Sequence, residues 1–226
     1  NSYLNIRTMC HHAHKYNAIG LLNTDWGDYG HVCQPAFSIP GILYGAAFAW
    51  NANGMTYEEV NDAVSFLAFG DATGDFMRAF DALSCHEVFN WFHVVRWIEE
   101  KDAEKRHAIY NDENLHLEKL ESANAEVDAA LAQLHAAALR MDSSKRGIME
   151  DLALAAEGVK LINDLGCYVG AVEEHRPYAH RNGSELASAL ESWYHAYVAN
   201  WRRVSRESTL VRTRSLICAW ADYLRG

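Results

Sequence analysis

Apolar residues recur along most of this chain at helical spacing. Leu117, Leu120, Asn124, Val127, Leu131, Leu134 and Ala138 follow at alternating steps of three and four, a coiled-coil-like seam. Ile148, Leu152, Ala155, Val159, Ile162, Gly166 and Val169 repeat the pattern beyond a polar turn from Asp142 to Gly147. Leu186, Leu190, Trp193, Tyr197, Trp201 and Val204 mark a third helix, and Leu216, Trp220 and Leu224 share one face of a terminal helix beginning near Leu210. Further upstream, Thr56 with Glu59 reads as a capping box that opens a helix running to about Phe69. Gly70 to Gly74 breaks it, and an aromatic-rich helix is expected from Asp75 to about Trp97. Long helices joined by short polar turns pack as antiparallel neighbours. Residues 55–226 are therefore expected to form an α-helical bundle domain.

Residues 1–54 carry a different pattern. Leu4 to Tyr16 has helical spacing, whereas Ala18 to Asn23 is a short apolar run without alternation, as in a strand buried on both faces. A loop rich in Asp, Trp and Gly follows, Thr24-Asp-Trp-Gly-Asp-Tyr-Gly-His31. Ser38 as a cap and Pro40 in the first turn then start a helix to Trp50, closed by the turn chemistry of Asn51-Ala-Asn-Gly54. Helix, strand, loop, helix is one slice of an α/β repeat. The fold class expected overall is mainly α: an antiparallel bundle preceded by a strand and helix remnant of a (β/α)8 barrel.

Composition narrows the function classes. The chain has 226 residues, half of them apolar, which suffices for a sizeable core. A net charge of -10 gives no electrostatic reason to expect nucleic acid or an anionic membrane as partner. Arg202, Arg203, Arg206, Arg212 and Arg214 gather near the C-terminus, but Glu207 and the flanking aromatics read as a solvated helix face. The five cysteines are scattered singly, with no CxxC pair, which is not a disulfide framework and favours a reducing compartment such as the cytoplasm. No stretch approaches the length of a membrane span.

Chemistry concentrates in the loop. Trp26 and Asp28 are the primary candidates for substrate binding, and Asp25 and His31 are weaker ones that equally suit bracing the turn. Asp25 and Asp28 also suggest an acid/base pair whose separation the sequence does not fix. His11 and His14 share a helix face beside Cys10, without the spaced partners of a four-ligand metal set. Asn51 to Gly54 lacks the closing glutamate of a calcium loop, and Gly70 to Gly74 lacks the Lys-Ser/Thr ending of a phosphate loop. Neither a metal nor a cofactor is called for. Trp91, Phe92, Trp97, Trp193, Tyr197 and Trp201 allow a carbohydrate platform, but their helical spacing favours bundle core.

Thr24 to His31, followed by Ser38-Ile-Pro-Gly-Ile-Leu-Tyr-Gly-Ala-Ala-Phe-Ala-Trp50, resembles the last strand and helix of the catalytic barrel in family 20 glycoside hydrolases, the β-N-acetylhexosaminidases. Trp193 to Arg203, with Ser208-Thr-Leu210, is similar to the helical end of longer bacterial members. The resemblance implies catalysis at the strand C-termini of an eight-stranded barrel. It places on Trp26 a tryptophan lining the pocket of a terminal N-acetylhexosamine, and on Asp28 a carboxylate that binds sugar hydroxyls. Asp stands where Glu is more usual, which shortens its reach. The family's catalytic Asp-Glu pair, which uses the substrate's own acetamido group as nucleophile, belongs to an earlier strand that is not found here. Asp102-Ala-Glu104 and Glu99-Glu100 read as solvated charge, so no catalytic residue is assigned.

The chain is thus expected to be the C-terminal part of such an enzyme, inactive alone, with terminal N-acetylhexosamine as the ligand of the intact parent. The alternative is a helical interaction module without catalysis. A homo-oligomer formed through the helices or the unpaired strand fits either.

Overall fold

The computed structural model describes residues 2–27, 29–86, 88–111, 119–178 and 181–226. Among them are ten α-helices and no strand. In chain order these are α1 (Ser2–Lys15), α2 (Ile39–Trp50), α3 (Tyr57–Phe69), α4 (Asp75–Leu83), α5 (Trp91–Glu99), α6 (Ala103–Tyr110), α7 (Leu120–Ala138), α8 (Ile148–Glu173), α9 (Gly183–Trp201) and α10 (Leu210–Arg225). The chain is all-α.

Local chemistry sets the helix ends. Thr56 Oγ1 accepts from the Glu59 amide at 3.2 Å while Glu59 Oε2 accepts from the Thr56 amide at 2.7 Å, so the expected capping box opens α3. Gly70, at φ 72°, closes that helix in the left-handed conformation that glycine adopts without strain. Asn182 and Glu185 form the equivalent box for α9. The single helix expected from Asp75 to Trp97 is instead two. Asn90 accepts from the His93 amide at 3.1 Å and starts α5 afresh, a capping box with histidine in place of the usual Glu or Gln. The short α6, capped by Asp102, lies where the sequence reading expected only solvated charge.

Two compact units divide the chain. The first comprises residues 1–27, 33–81 and 133–149. Its core gathers Tyr44 and Phe48 of α2, Val60, Val64 and Phe69 of α3, and Phe76, Met77 and Phe80 of α4. Tyr3 stacks on Tyr44 at 4.3 Å, and the Tyr44 hydroxyl donates to the buried Asn61 Oδ1 at 2.6 Å. Asp71 is 1 % exposed, and its carboxylate collects donors from Ser65, from the amide and hydroxyl of Thr73 and from the Phe76 amide. It thereby caps the first turn of α4. Burial alone raises its pKa, but these hydrogen bonds to the ionised form prevail and hold it below the usual carboxylate range.

The second unit comprises residues 28–32, 82–132 and 150–226. Its core collects Phe89, Val94 and Trp97 with Leu161, Leu165, Leu186, Trp193, Tyr197, Ile217 and Trp220. The pairings fix the helix directions. Asn124 meets Asp164 and Asp128 meets Lys160, so α7 and α8 run antiparallel. Asn200 bonds Asp151 and Trp193 bonds the Leu154 carbonyl, so α9 returns along α8, and Arg225 pairs with Glu191 as α10 returns along α9. Gly158 makes room for the Trp193 indole, because a Cβ there would lie 2.7 Å from its Cζ2. Buried Asn163 bonds the Asn124 carboxamide and, by two further bonds, the His86 carbonyl and the Val88 amide ahead of α5.

The buried strand expected over Ala18 to Asn23 does not form. Residues 20–27 are neither helix nor strand, and Ile19 and Leu22 are 111 % and 85 % exposed. The reason is physical: a lone strand leaves its N–H and C=O groups without a ladder, and the described residues supply no second strand to pair with it.

Replacing Asn163 by Ala should destabilise the protein by about 2–3 kcal/mol in urea unfolding, since three partners lose a buried bond at once. Asp71 should make stability acid-sensitive. Its folded pKa is depressed, so its contribution is complete above the unfolded value near 4 and is lost as pH falls through the folded one. The stability gap between wild type and Asp71→Asn should therefore narrow as unfolding is followed from neutral pH to below that window.

Candidate functional site

The loop begins within the first unit, where two side chains tie it down. Asn23 Nδ2 donates to the Gly41 carbonyl at 2.9 Å, and the Asn23 side chain fills the space a Cβ on Gly45 would need. Asp25 accepts a short hydrogen bond from the Ser38 hydroxyl. Ser38 thus occupies the N-cap position of α2 without capping it with its side chain, because its hydroxyl is engaged by the loop. Asp25 accordingly takes a bracing role.

Trp26 stands between these anchors and the end of the unit. Its indole is 75 % exposed, with Nε1 donating to Thr24 Oγ1 at 2.9 Å. That bond restrains the ring while most of the residue stays exposed. Asp28 lies outside the described residues, so the expected pairing of an indole with a hydroxyl-binding carboxylate is half represented. His31 is half-buried in the second unit.

A cavity of about 510 Å³ lies in the first unit, away from Trp26. Cys10 and His14 of α1, Leu21 of the irregular segment, and Phe48 and Trp50 of α2 contribute to its walls. Its size suits a small ligand. Its chemistry is sparse, however: Cys10 is buried and its thiol is pushed up by desolvation, away from the reactive thiolate. His14 joins this cavity rather than a metal cluster, and no group of three metal-ligating side chains occurs among the described residues.

The other candidates are absorbed by the fold. Glu99 pairs with Arg212, Glu100 Oε1 accepts from the Asp102 amide, and Asp102 caps α6. Arg202 and Arg203 pair with Glu207 and Glu150 on the helix surface. No disulfide links cysteines among the described residues. Tyr29 is the residue that sequence reasoning passed over. It is 48 % exposed and holds φ 60°, an uncommon backbone for an aromatic residue, and the only sequence signal was its place inside an Asp-Tyr-Gly turn.

Comparison of the chain with protein-family models, curated proteins and solved structures finds no match.

Because the Trp26 ring touches little of the core, Trp26→Ala should alter unfolding free energy by no more than about 0.5 kcal/mol. A markedly larger loss in denaturant titration would assign the indole to packing.

Proposed function

We propose that this chain is part of a family 20 type glycoside hydrolase acting on terminal β-linked N-acetylhexosamine, and that its loop from Thr24 to His31 contributes part of the sugar-binding pocket but not the catalytic pair. Trp26 would pack its indole against the C–H face of the pyranose, and Asp28 would accept hydrogen bonds from sugar hydroxyls. Asp25, tied to Ser38, positions the loop rather than touching substrate. The general acid and the carboxylate that orients the acetamido group are assigned to no residue of this chain.

One observation carries the reading: an exposed tryptophan held on a loop whose flanking residues Asn23 and Asp25 are both fixed to the following helix. A folding role does not require such an arrangement, whereas a stacking surface does. The segment ahead of the loop supports it. Ile19 and Leu22 expose apolar side chains, and Ile19 joins Leu21 and Phe48 in lining the cavity. Neighbouring barrel strands would supply both the missing ladder and the filling for that space.

The test is complementation. Mixed with a polypeptide carrying the remaining strands of such a barrel, this chain should restore hydrolysis of an aryl N-acetyl-β-glucosaminide. Trp26→Ala should lower the restored kcat/KM by roughly a hundredfold, as expected when a stacking wall worth about 3 kcal/mol is lost. No hydrolysis, together with a tight defined oligomer of this chain in sedimentation, would replace the enzyme reading by that of a helical interaction module.

A further inference from the structure

Residues 18–27 of the first unit cross its surface with little to hold them. The helix before them, α1, ends where Asn17 enters the left-handed conformation at φ 53° and the Ala18 amide donates back to the Ala13 carbonyl at 2.8 Å. Beyond that point, among the described residues, no backbone–backbone hydrogen bond involves residues 19–27. Leu21 is the one residue of these ten that is not exposed. A stretch with so few buried contacts opens locally, without unfolding the helices beside it.

The segment also walls a space. Ala18 to Leu21 line the cavity of about 510 Å³ together with Cys10 and His14 of α1 and Phe48 of α2. Cys10 lines that cavity yet is only 3 % exposed. Two side-chain latches hold the segment against α2. Asn23 Nδ2 donates to the Gly41 carbonyl at 2.9 Å, and its carboxamide rests in a notch at Gly45, where a Cβ would collide with it. The Ser38 hydroxyl donates to Asp25. Both latches forgo helix stability. Gly45 stands inside α2, where alanine is the better helix former, and Ser38 leaves unmade the side-chain cap that its position offers.

We propose that residues 18–27 are a strap that swings away between Ala18 and Gly27 to open the cavity beside α1 and α2, latched shut by Asn23 and Asp25. Opening withdraws Leu21 from the cavity wall and carries Trp26, which follows both latches in the chain, along with it. The device is made of hydrogen bonds and steric fit within this chain, and it holds whether or not the loop meets a sugar.

Cys10 is a natural reporter of the opening. In the full chain, alkylation by iodoacetamide, followed by mass-spectrometric peptide mapping, should modify Cys10 far more slowly than the exposed Cys218. Low urea should change the Cys10 rate little, because strap opening uncovers little surface. Asn23→Ala and Ser38→Ala should each raise it roughly three- to tenfold, the consequence of one lost hydrogen bond, with the thermal midpoint nearly unchanged. Gly45→Ala should raise the rate while keeping or lifting that midpoint, because it evicts the Asn23 side chain but favours the helix. In the Asn23→Ala chain the same substitution should add nothing, since the notch is already empty. Cys10 labelling that is no slower than that of Cys218, that ignores these substitutions, or that climbs with urea as steeply as global unfolding overturns the strap. These rates are read on the chain alone, so the strap stands or falls separately from the complementation assay.

Discussion

The buried carboxamide of Asn163 is the constraint on which the second unit depends. It donates to the Asn124 Oδ1 of α7 and to the His86 carbonyl, and it accepts from the Val88 amide, with no exposure to water. A buried amide must satisfy both its ends, and the observed register of α7 against α8 brings Asn124 within reach of it. Apolar heptads by themselves tolerate a slip of a turn; a fully bonded asparagine does not. Because the same side chain also bonds His86 and Val88, it constrains the approach to α5. The Asn90 capping box, two residues on, then sets the direction in which Trp91 and Phe92 leave the helix.

In the first unit a buried carboxylate plays the corresponding part. Asp71 orders the glycine-bounded turn between α3 and α4 through four hydrogen bonds, and Tyr44 with Asn61 ties α2 to α3. Around this frame the segment from Ile19 to Trp26 keeps the side chains of Ile19, Leu22 and Trp26 largely in water and its backbone outside any ladder. Such exposure is costly, at about 25 cal/mol per Å² of apolar surface. It is the feature that the proposed barrel neighbours would relieve. The loop residues nevertheless hold their places, because Asn23 and Asp25 attach to α2 rather than to strands. The position of the loop and the pairing of the segment ahead of it are therefore separable properties.

The ends of α3, and the turns at residues 51–54 and 142–147, were legible in the sequence. Each is set by side chains a few residues apart, and local chemistry suffices. The break between α4 and α5 was not, since histidine replaces the usual acid of the capping box and the apolar pattern runs on through it. Ser38 was legible as an N-cap position but not as a ligand of Asp25, a partner thirteen residues away. The apolar run at 18–23 was read as a strand because composition reports what a segment can bury, not whether a partner is at hand. Of the candidate site, Trp26 was legible as an exposed loop aromatic. Tyr29 was not, because nothing local announces that Trp91, 62 residues on, will hold its carbonyl in a left-handed turn.

The sequence alone thus determined a mainly helical chain, several of its helix limits and the antiparallel run of its long helices, since these follow from periodicity, caps and short turns. Tertiary structure decided which polar groups are buried, which aromatics reach the core and which remain in water. Those outcomes depend on pairings across the chain, such as Asn163 with Asn124, Gly158 with Trp193, and Tyr29 with Trp91. Hydrogen bonds and steric fit at such separations are properties of the assembled helices, and no window of sequence contains them.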